Sequence, residues 1–310
     1  MATTRPAPIA LFVYNRLAHT KQTIEALLRN ELAEESDLTI FSDAPKNASA
    51  ERSVQEVRKY IKSIEGFRSV SIIERNDNWG LAKSIIEGVT RILKEREKII
   101  VLEDDIITSP AFLRFMNEAL ELYENQKKVW HISGWNYPIS TKDIDETFLW
   151  RCMNCWGWAT WADRWSHFEK APSSMIELWK KEEIFSFNLD GAHNFWSQVL
   201  NNQRGRTNTW AIFWYATIFK NNGLCLNPSQ SLTKNIGNDG SGINCSDYDP
   251  FSGAHTRQTV PILTDAISEN DVALRSIQAF YRENKPSFFD RASGRLKKIL
   301  RNLYQNRVAK

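Results

Sequence analysis

The sequence lacks a run that could cross a membrane. Its longest apolar stretches, Ile9–Tyr14 and Ile99–Leu102, fall far short of the roughly 20 residues a spanning helix needs. Met1 to Pro8 holds no apolar signal-peptide region. The expected location is therefore cytoplasmic, or peripheral on the inner face of a membrane. Net charge is scarce as well. The balance of 40 basic and 37 acidic side chains leaves +3, which gives no basis for nucleic-acid binding through charge alone. Cysteine is sparse, at four residues. Cys152 and Cys155 form a CxxC, but neither a second pair at zinc-ribbon spacing nor a suitable His pair follows. Plain thiols in a reducing compartment are expected rather than structural zinc. Gly-x-Ser-x-Gly and Walker motifs are missing too, which excludes a serine-hydrolase elbow and P-loop kinase chemistry.

What is plentiful is tryptophan, with 12 residues, 11 of them between Trp130 and Trp214. A core rarely needs so many indoles in one stretch, because each buried N–H must find a partner. Some of these rings are expected to face a ligand with flat, hydrogen-rich surfaces, such as a sugar.

The first half alternates strand and helix signals. Pro8–Tyr14, Leu38–Ser42, Ser69–Arg75 and Lys98–Leu102 read as strands. His19–Arg29, Glu51–Ile64 and Gly80–Lys94 carry apolar residues at helical spacing between them. This alternation predicts a mainly parallel α/β sheet with helices on both faces. A helix over Pro110–Tyr123, a strand over Lys128–Ser133 and a late strand over Leu224–Pro228 are expected next, separated by loops, aromatics and short elements. The 310 residues suffice for one large α/β domain with extensions, or for two small domains.

The apolar strand Lys98–Leu102 runs straight into Glu103-Asp104-Asp105. Ligands of open parallel sheets bind beyond the carboxyl ends of the strands. Three adjacent carboxylates repel one another and resist desolvation, and a divalent cation relieves both costs. Hard oxygen ligands suit Mn²⁺ or Mg²⁺, whose open positions take diphosphate oxygens. The competing reading is an acidic helix N-terminus.

These residues belong to an ordered set of blocks: Pro8-Ile-Ala-Leu-Phe-Val-Tyr-Asn-Arg16, Phe41-Ser-Asp43, Asn78-Trp-Gly-Leu81, Val101-Leu-Glu-Asp-Asp105 followed by Ser109-Pro-Ala-Phe112, Ile132-Ser-Gly-Trp-Asn136, and Cys155-Trp-Gly-Trp158. Together they resemble GT-A-type glycosyltransferases, in particular the group related to N-acetylglucosaminyltransferase I, along with bacterial family-two-like sugar transferases. The resemblance covers residues 8 to 245. It implies a GT-A (Rossmann-like) domain over 1–245, with a nucleotide-binding half at 1–127 and a Trp-rich acceptor-side half at 128–245. A C-terminal extension at 246–289 and a basic tail at 290–310 would follow.

The resemblance also implies roles. Asp105 would bind the metal directly, while Asp104 and Glu103 would orient the donor sugar or its ribose. Asn15, Arg16 and Asp43 would contact the nucleotide, with Asn78 and Lys83 as further nucleotide-side candidates. Arg16 suits a phosphate, although a surface ion pair is the alternative. For Asp43 the alternative is a turn ahead of Pro45. Trp135, Asn136, Trp156 and Trp158 would hold the acceptor, with core packing as the other reading for each indole. His131 is read as a strand residue.

One position departs from the pattern. Relatives of this type place a carboxylate between two tryptophans as general base, and the corresponding stretch here is Trp210-Ala-Ile-Phe-Trp214, with Ala211 in that place. An inverting transfer needs a base in reach of the nucleophile, so Asp239 and Asp190 stand as substitutes. The expected reaction moves a hexosyl or N-acetylhexosaminyl unit from a nucleotide-sugar, a UDP-sugar for preference, to a glycan or lipid-linked saccharide. Bacterial surface-polysaccharide synthesis is the setting that the resemblance implies. Two other readings remain: a sugar nucleotidyltransferase, although Asn15-Arg-Leu-Ala-His19 lacks the usual glycine run, and a binding protein that has lost its base. In the tail, Leu296, Ile299, Leu300, Leu303 and Tyr304 at helical spacing among basic residues fit either an anionic membrane surface or docking on the domain.

Overall fold

A computed structural model describes residues 5–238, 251 and 256–284. Asp239, Cys245 and the basic tail at 290–310 lie outside the described residues. In chain order the first half is β1 (Ile9–Val13), α1 (Leu17–Leu28), β2 (Asp37–Ser42), α2 (Ala48–Ile61), β3 (Ser69–Glu74), α3 (Gly80–Leu93), β4 (Lys98–Glu103), β5 (Ile106–Thr108) and α4 (Phe112–Leu122). The second half is β6 (Val129–Ser133), β7 (Thr147–Trp150), β8 (Trp158–Trp161), α5 (Ala162–Trp165), α6 (Pro172–Leu178), α7 (Lys181–Phe187), α8 (Trp196–Gln203), α9 (Ala211–Lys220), β9 (Leu224–Pro228), β10 (Thr233–Asn235) and α10 (Asp271–Glu283).

Eight strands form one sheet in the order β3-β2-β1-β4-β8-β6-β9-β7. β3, β2, β1 and β4 pair in parallel. β8 is inserted antiparallel between β4 and β6, which restores β6 and β9 to the direction of β4. β7 runs antiparallel at the edge. The mainly parallel α/β fold expected from the strand–helix alternation is present.

Alternating side chains of the central strands feed two cores, as a pleated strand buried on both faces requires. Ile9, Leu11 and Val13 of β1 pack with Ile24, Leu27, Val57 and Ile61 from α1 and α2. Ala10 and Phe12 point the other way, into a core shared with Ile85 and Val89 of α3. Gly88 allows this approach, because a Cβ there would run into the Phe12 ring.

The stretch between β6 and β9 is more regular than the sequence reading anticipates. It holds β7, β8 and α5 to α9, and Trp210-Ala-Ile-Phe-Trp214 leads into α9. The tryptophans there are largely core, a correction to the expectation drawn from their number. Ten of the eleven are buried, Trp156 being the exception. Several of their N–H groups find partners inside the fold. Trp150 donates to Asn227 Oδ1 at 2.9 Å, Trp161 to the Leu120 carbonyl at 3.1 Å and Trp165 to Thr90 Oγ1 at 3.0 Å. For these indoles the hydrogen-bond cost that argued against a core role is met within the fold.

Candidate active site

Register brings the ends of four parallel strands to one edge of the sheet. Val13 lies beside Ser42, Ser42 beside Glu74, and Phe12 beside Glu103. The residues that follow these strands, Tyr14 to Arg16, Asp43, Arg75, and Asp104 with Asp105, therefore share that edge. It is where ligands of such sheets bind.

The acidic triplet is crowded and short of solvent. Arg16 donates through Nη2 to Asp104 and, at 2.7 Å, to Asp105 Oδ2. The Tyr14 N–H reaches Asp104 Oδ2 at 3.4 Å, and Thr23 Oγ1 donates to the Asp104 carbonyl at 2.8 Å. Burial pushes the Glu103 carboxyl up to about 8, with repulsion from Asp105 and Asp104 adding to it. Burial also lifts Asp104, to about 6, against the pull of Arg16. Burial would by itself lower the Arg16 pKa, but the two aspartates outweigh it and hold the guanidinium charged. One cation thus faces three carboxylates, so the cluster retains an unmet demand for positive charge.

A short second sheet covers this cluster. β10 pairs antiparallel with β5, and the Ile236 N–H donates to the Asp105 carbonyl at 2.9 Å. Gly237 then lies so close that a Cβ there would collide with the Asp105 carboxylate. Among the described residues no three His, Cys, Asp or Glu side chains converge into a metal cage. The donor set nonetheless fits a hard cation that keeps most of its positions for phosphate and water oxygens, as Mg²⁺ does. Asp105 and Glu103 would be the oxygen donors at such a position; Asp104 is held by both Arg16 and Tyr14, and Asp105 by Arg16.

The nucleotide-side candidates fall into two groups. Asn15 and Arg16 follow β1 at the edge of the triplet. Asp43 and Asn78 are engaged in joining β2 to α3. The Asp43 carboxylate accepts from the N–H groups of Trp79 at 2.9 Å and Gly80 at 2.8 Å, and from Asn78 Nδ2 at 3.1 Å. It thereby satisfies free donors at the start of α3. The Lys83 ammonium sits 4.2 Å from the Trp79 ring centroid, and the Arg75 guanidinium sits 3.5 Å from it. Arg75 is a residue the sequence reading missed. Its Nε is buried without a partner, and its place directly after β3 was the available signal.

The acceptor candidates separate as well. Trp135 and Trp156 meet edge to face at 4.6 Å and line a cavity of about 300 Å³ together with Tyr137, Asn154 and Ala211. Trp158 lies in the core, stacked between His131 and Trp210 at 5.4 and 5.2 Å. Asn136 is buried beside the cavity wall. It pins the loop after β6 by donating to the Ser229 carbonyl from Nδ2 and to Ser231 Oγ from its N–H, both at 2.9 Å.

Cavity and triplet adjoin through the β4–β8 ladder. Val101 pairs with Trp158 and Ile100 with Ala159. The chain turns at Gly157, just ahead of β8, and the segment before it comes close to the triplet. Burial pushes the Cys155 thiol up, and Glu103 and Asp105 add to this across the short gap.

Asp190, one substitute for the missing base, is tied into a structural network. Arg151 Nη1 donates to it at 3.1 Å and Gln278 Nε2 at 2.9 Å. It does not line the cavity. Asp239, the other, falls outside the described residues.

The GNT-I family model matches residues 2–183. No curated protein matches the chain. Among solved structures, the mannosyltransferase PcManGT from Pyrobaculum calidifontis, determined in complex with GDP-Man and Mn2+, aligns at 10% identity and a TM-score of 0.43, over 71% of this chain and 70% of that one. S. aureus TarS aligns at 14% identity and a TM-score of 0.29, over 41% of this chain and 21% of its own. The family match spans more than half of the 310 residues, and by it the chain belongs to the GNT-I family and is a glycosyltransferase.

Proposed function

We propose that the chain transfers a hexosyl or N-acetylhexosaminyl unit from a nucleotide-sugar, a UDP-sugar for preference, to a glycan or lipid-linked saccharide, in bacterial surface-polysaccharide synthesis. The observation that carries this reading is the meeting of Arg16, Glu103, Asp104 and Asp105 at one sheet edge, directly beside an aromatic cavity. Diphosphate and sugar need opposite environments, and the two lie side by side.

In this reading Asp105 holds Mn²⁺ or Mg²⁺ with support from Glu103. When bound, the cation neutralises charge that gathers on the departing nucleoside diphosphate. Arg16 turns from the aspartates toward a diphosphate oxygen. Asn15 and Arg75 face the nucleoside at the strand ends, and Asp43, with Asn78, keeps α3 in register beneath it. Trp135 and Trp156 orient the acceptor and exclude water from the reacting centre. Asp239 is the proposed base for an inverting transfer, with Asp190 the second candidate.

The test is release of nucleoside diphosphate from UDP-, GDP- and CMP-sugars with and without Mn²⁺ or Mg²⁺. Turnover is expected only with the cation and a nucleotide-sugar. Asp105→Ala should lower it at least ~100-fold, in line with loss of a charge-stabilising group. Full metal-dependent turnover in Asp105→Ala would overturn the assignment, and pyrophosphate release would point to a nucleotidyltransferase instead. A second reading, a binding protein without its base, is favoured by Ala211 in the cavity wall. Donor binding in a calorimeter, with no turnover on any acceptor, is the result that would select it.

A further inference from the structure

We propose that the aromatic cavity is an acceptor subsite that selects uncharged sugars and rejects anionic ones, with Trp156 as its stacking face and Asn154 as its hydrogen-bond donor. This rests on the glycosyltransferase reading above and deepens it.

The first argument is the chemistry of the wall. Among the described residues, no Asp, Glu, Lys, Arg or His lines the cavity. Its potentially acidic groups stay neutral. The Tyr137 and Tyr281 hydroxyls bond each other at 2.8 Å, and the Tyr215 hydroxyl donates to the Phe187 carbonyl at 2.9 Å. Burial holds the Cys152 and Cys155 thiols protonated. A carboxylate or phosphate entering such a space sheds water without gaining a cationic partner, which is among the costliest burials available to a ligand.

The second argument is a polar group left over. Asn154 is only 8% exposed, and its Nδ2 has no hydrogen-bond partner. Its carbonyl is held by His131 Nε2 at 3.0 Å, so the residue is anchored while its amide donor remains unspent. Buried donors are almost always satisfied. A neutral sugar hydroxyl or ring oxygen supplies the missing acceptor, while the C–H face of the ring lies on the half-buried Trp156. Phe251, with its centroid 5.8 Å from that of Trp156, closes the opposite corner. A volume of about 300 Å³ is at the lower end for ligand pockets and suits one ring rather than a longer chain.

The experiment uses the full chain without nucleotide, so its outcome is independent of the Asp105→Ala turnover test. Methyl glucoside and methyl galactoside are titrated against the corresponding methyl uronates, which differ in charge at one carbon, by saturation-transfer NMR. At least one neutral glycoside is expected to bind ~10-fold or more tighter than its uronate, since an unpaired buried charge costs well above 1.4 kcal/mol. Trp156→Ala should weaken the neutral glycoside at least ~5-fold, and Trp156→Phe should recover most of that loss. Gln198→Arg, which places a cation on the wall, should narrow the gap between glycoside and uronate. The proposal fails if a uronate binds as well as its neutral partner. It fails equally if no glycoside binds, or if Trp156→Ala retains a native near-UV spectrum and unchanged affinity.

Discussion

Arg16 spans Asp104 and Asp105, so a cation from the end of β1 rests on two carboxylates from the end of β4. Removing one partner of a partly buried ion cluster leaves the others uncompensated. Arg16→Ala is therefore expected to cost the metal-free protein about 2 kcal/mol, or a fall of roughly 5 °C in melting temperature. The same variant should show a larger Mn²⁺-induced rise in melting temperature than the unmodified chain. Thermal denaturation with and without Mn²⁺ reads both effects, and an equal or smaller rise would mean that Arg16 and the cation do not share the aspartates.

His131 sets an acid limit on stability. The Trp214 indole N–H donates to its Nδ1 at 3.2 Å, so the imidazole is neutral and its Nε2–H donates to the Asn154 carbonyl at 3.0 Å. Burial pushes its pKa down to about 3, against about 6.5 for an unfolded histidine. The unfolded chain thus binds the extra proton first. The stabilisation is complete above about pH 6.5 and is lost as pH falls from there toward 3, at up to about 1.4 kcal/mol per unit. Glu103 and Asp104, whose carboxyls are raised by burial, stabilise in the opposite sense as pH falls, so the His131 effect is read as a difference: the urea midpoint of the wild-type chain relative to His131→Gln should fall between pH 7 and 5.

Arg164 is expected to be irreplaceable by lysine. It is 3% exposed and gathers the turn between α4 and β6 by donating from Nη2 to the Glu124 carbonyl at 2.7 Å and to the Tyr123 carbonyl at 3.3 Å. The same guanidinium stacks 4.4 Å from the Trp161 ring centroid. An ammonium cannot reproduce that planar fork. Arg164→Lys should cost about 3 kcal/mol, measured by chemical denaturation.

The two candidate bases should part in their symptoms. Asp239→Asn is expected to lower kcat by about 100-fold or more, with the nucleotide- and Mn²⁺-induced thermal shifts retained. Asp190→Asn breaks an ion pair to Arg151 that joins β7 to the loop before α8, so its first expression should be a lower melting temperature. Loss of turnover in Asp190→Asn with a normal melt would reverse the assignment.

The nucleotide-side half could be read from the chain because its signals are local. An apolar run such as Lys98–Leu102 has nowhere to be but inside a sheet, and acids that follow it must lie at the strand end. β1 to β4 and α1 to α3 follow this logic, as does the position of the triplet. The second half could not be read so directly. β8 is four residues long and its pairing with β4 is non-local, so no period announces it. The tryptophans misled because an indole's partner is set by the fold: Asn227 for Trp150 is 77 residues away. The second task of Asp43 is invisible in Phe41-Ser-Asp43, because Trp79 and Gly80, which offer it their N–H groups, lie more than 30 residues on.

The β4–β8 ladder, in which Val101 faces Trp158, makes the two halves of the reaction centre separately adjustable. The acidic triplet proposed to hold the cation hangs from β4, and the cavity's nearest wall hangs from the chain just ahead of β8. The backbone hydrogen bonds that fix one against the other do not depend on side-chain identity. Side chains of the segment between β6 and β8 that face the cavity can therefore change without disturbing the charged cluster, provided the β4–β8 and β7–β9 pairings survive. Swapping that segment between family members is a route to new acceptors on an unchanged donor side.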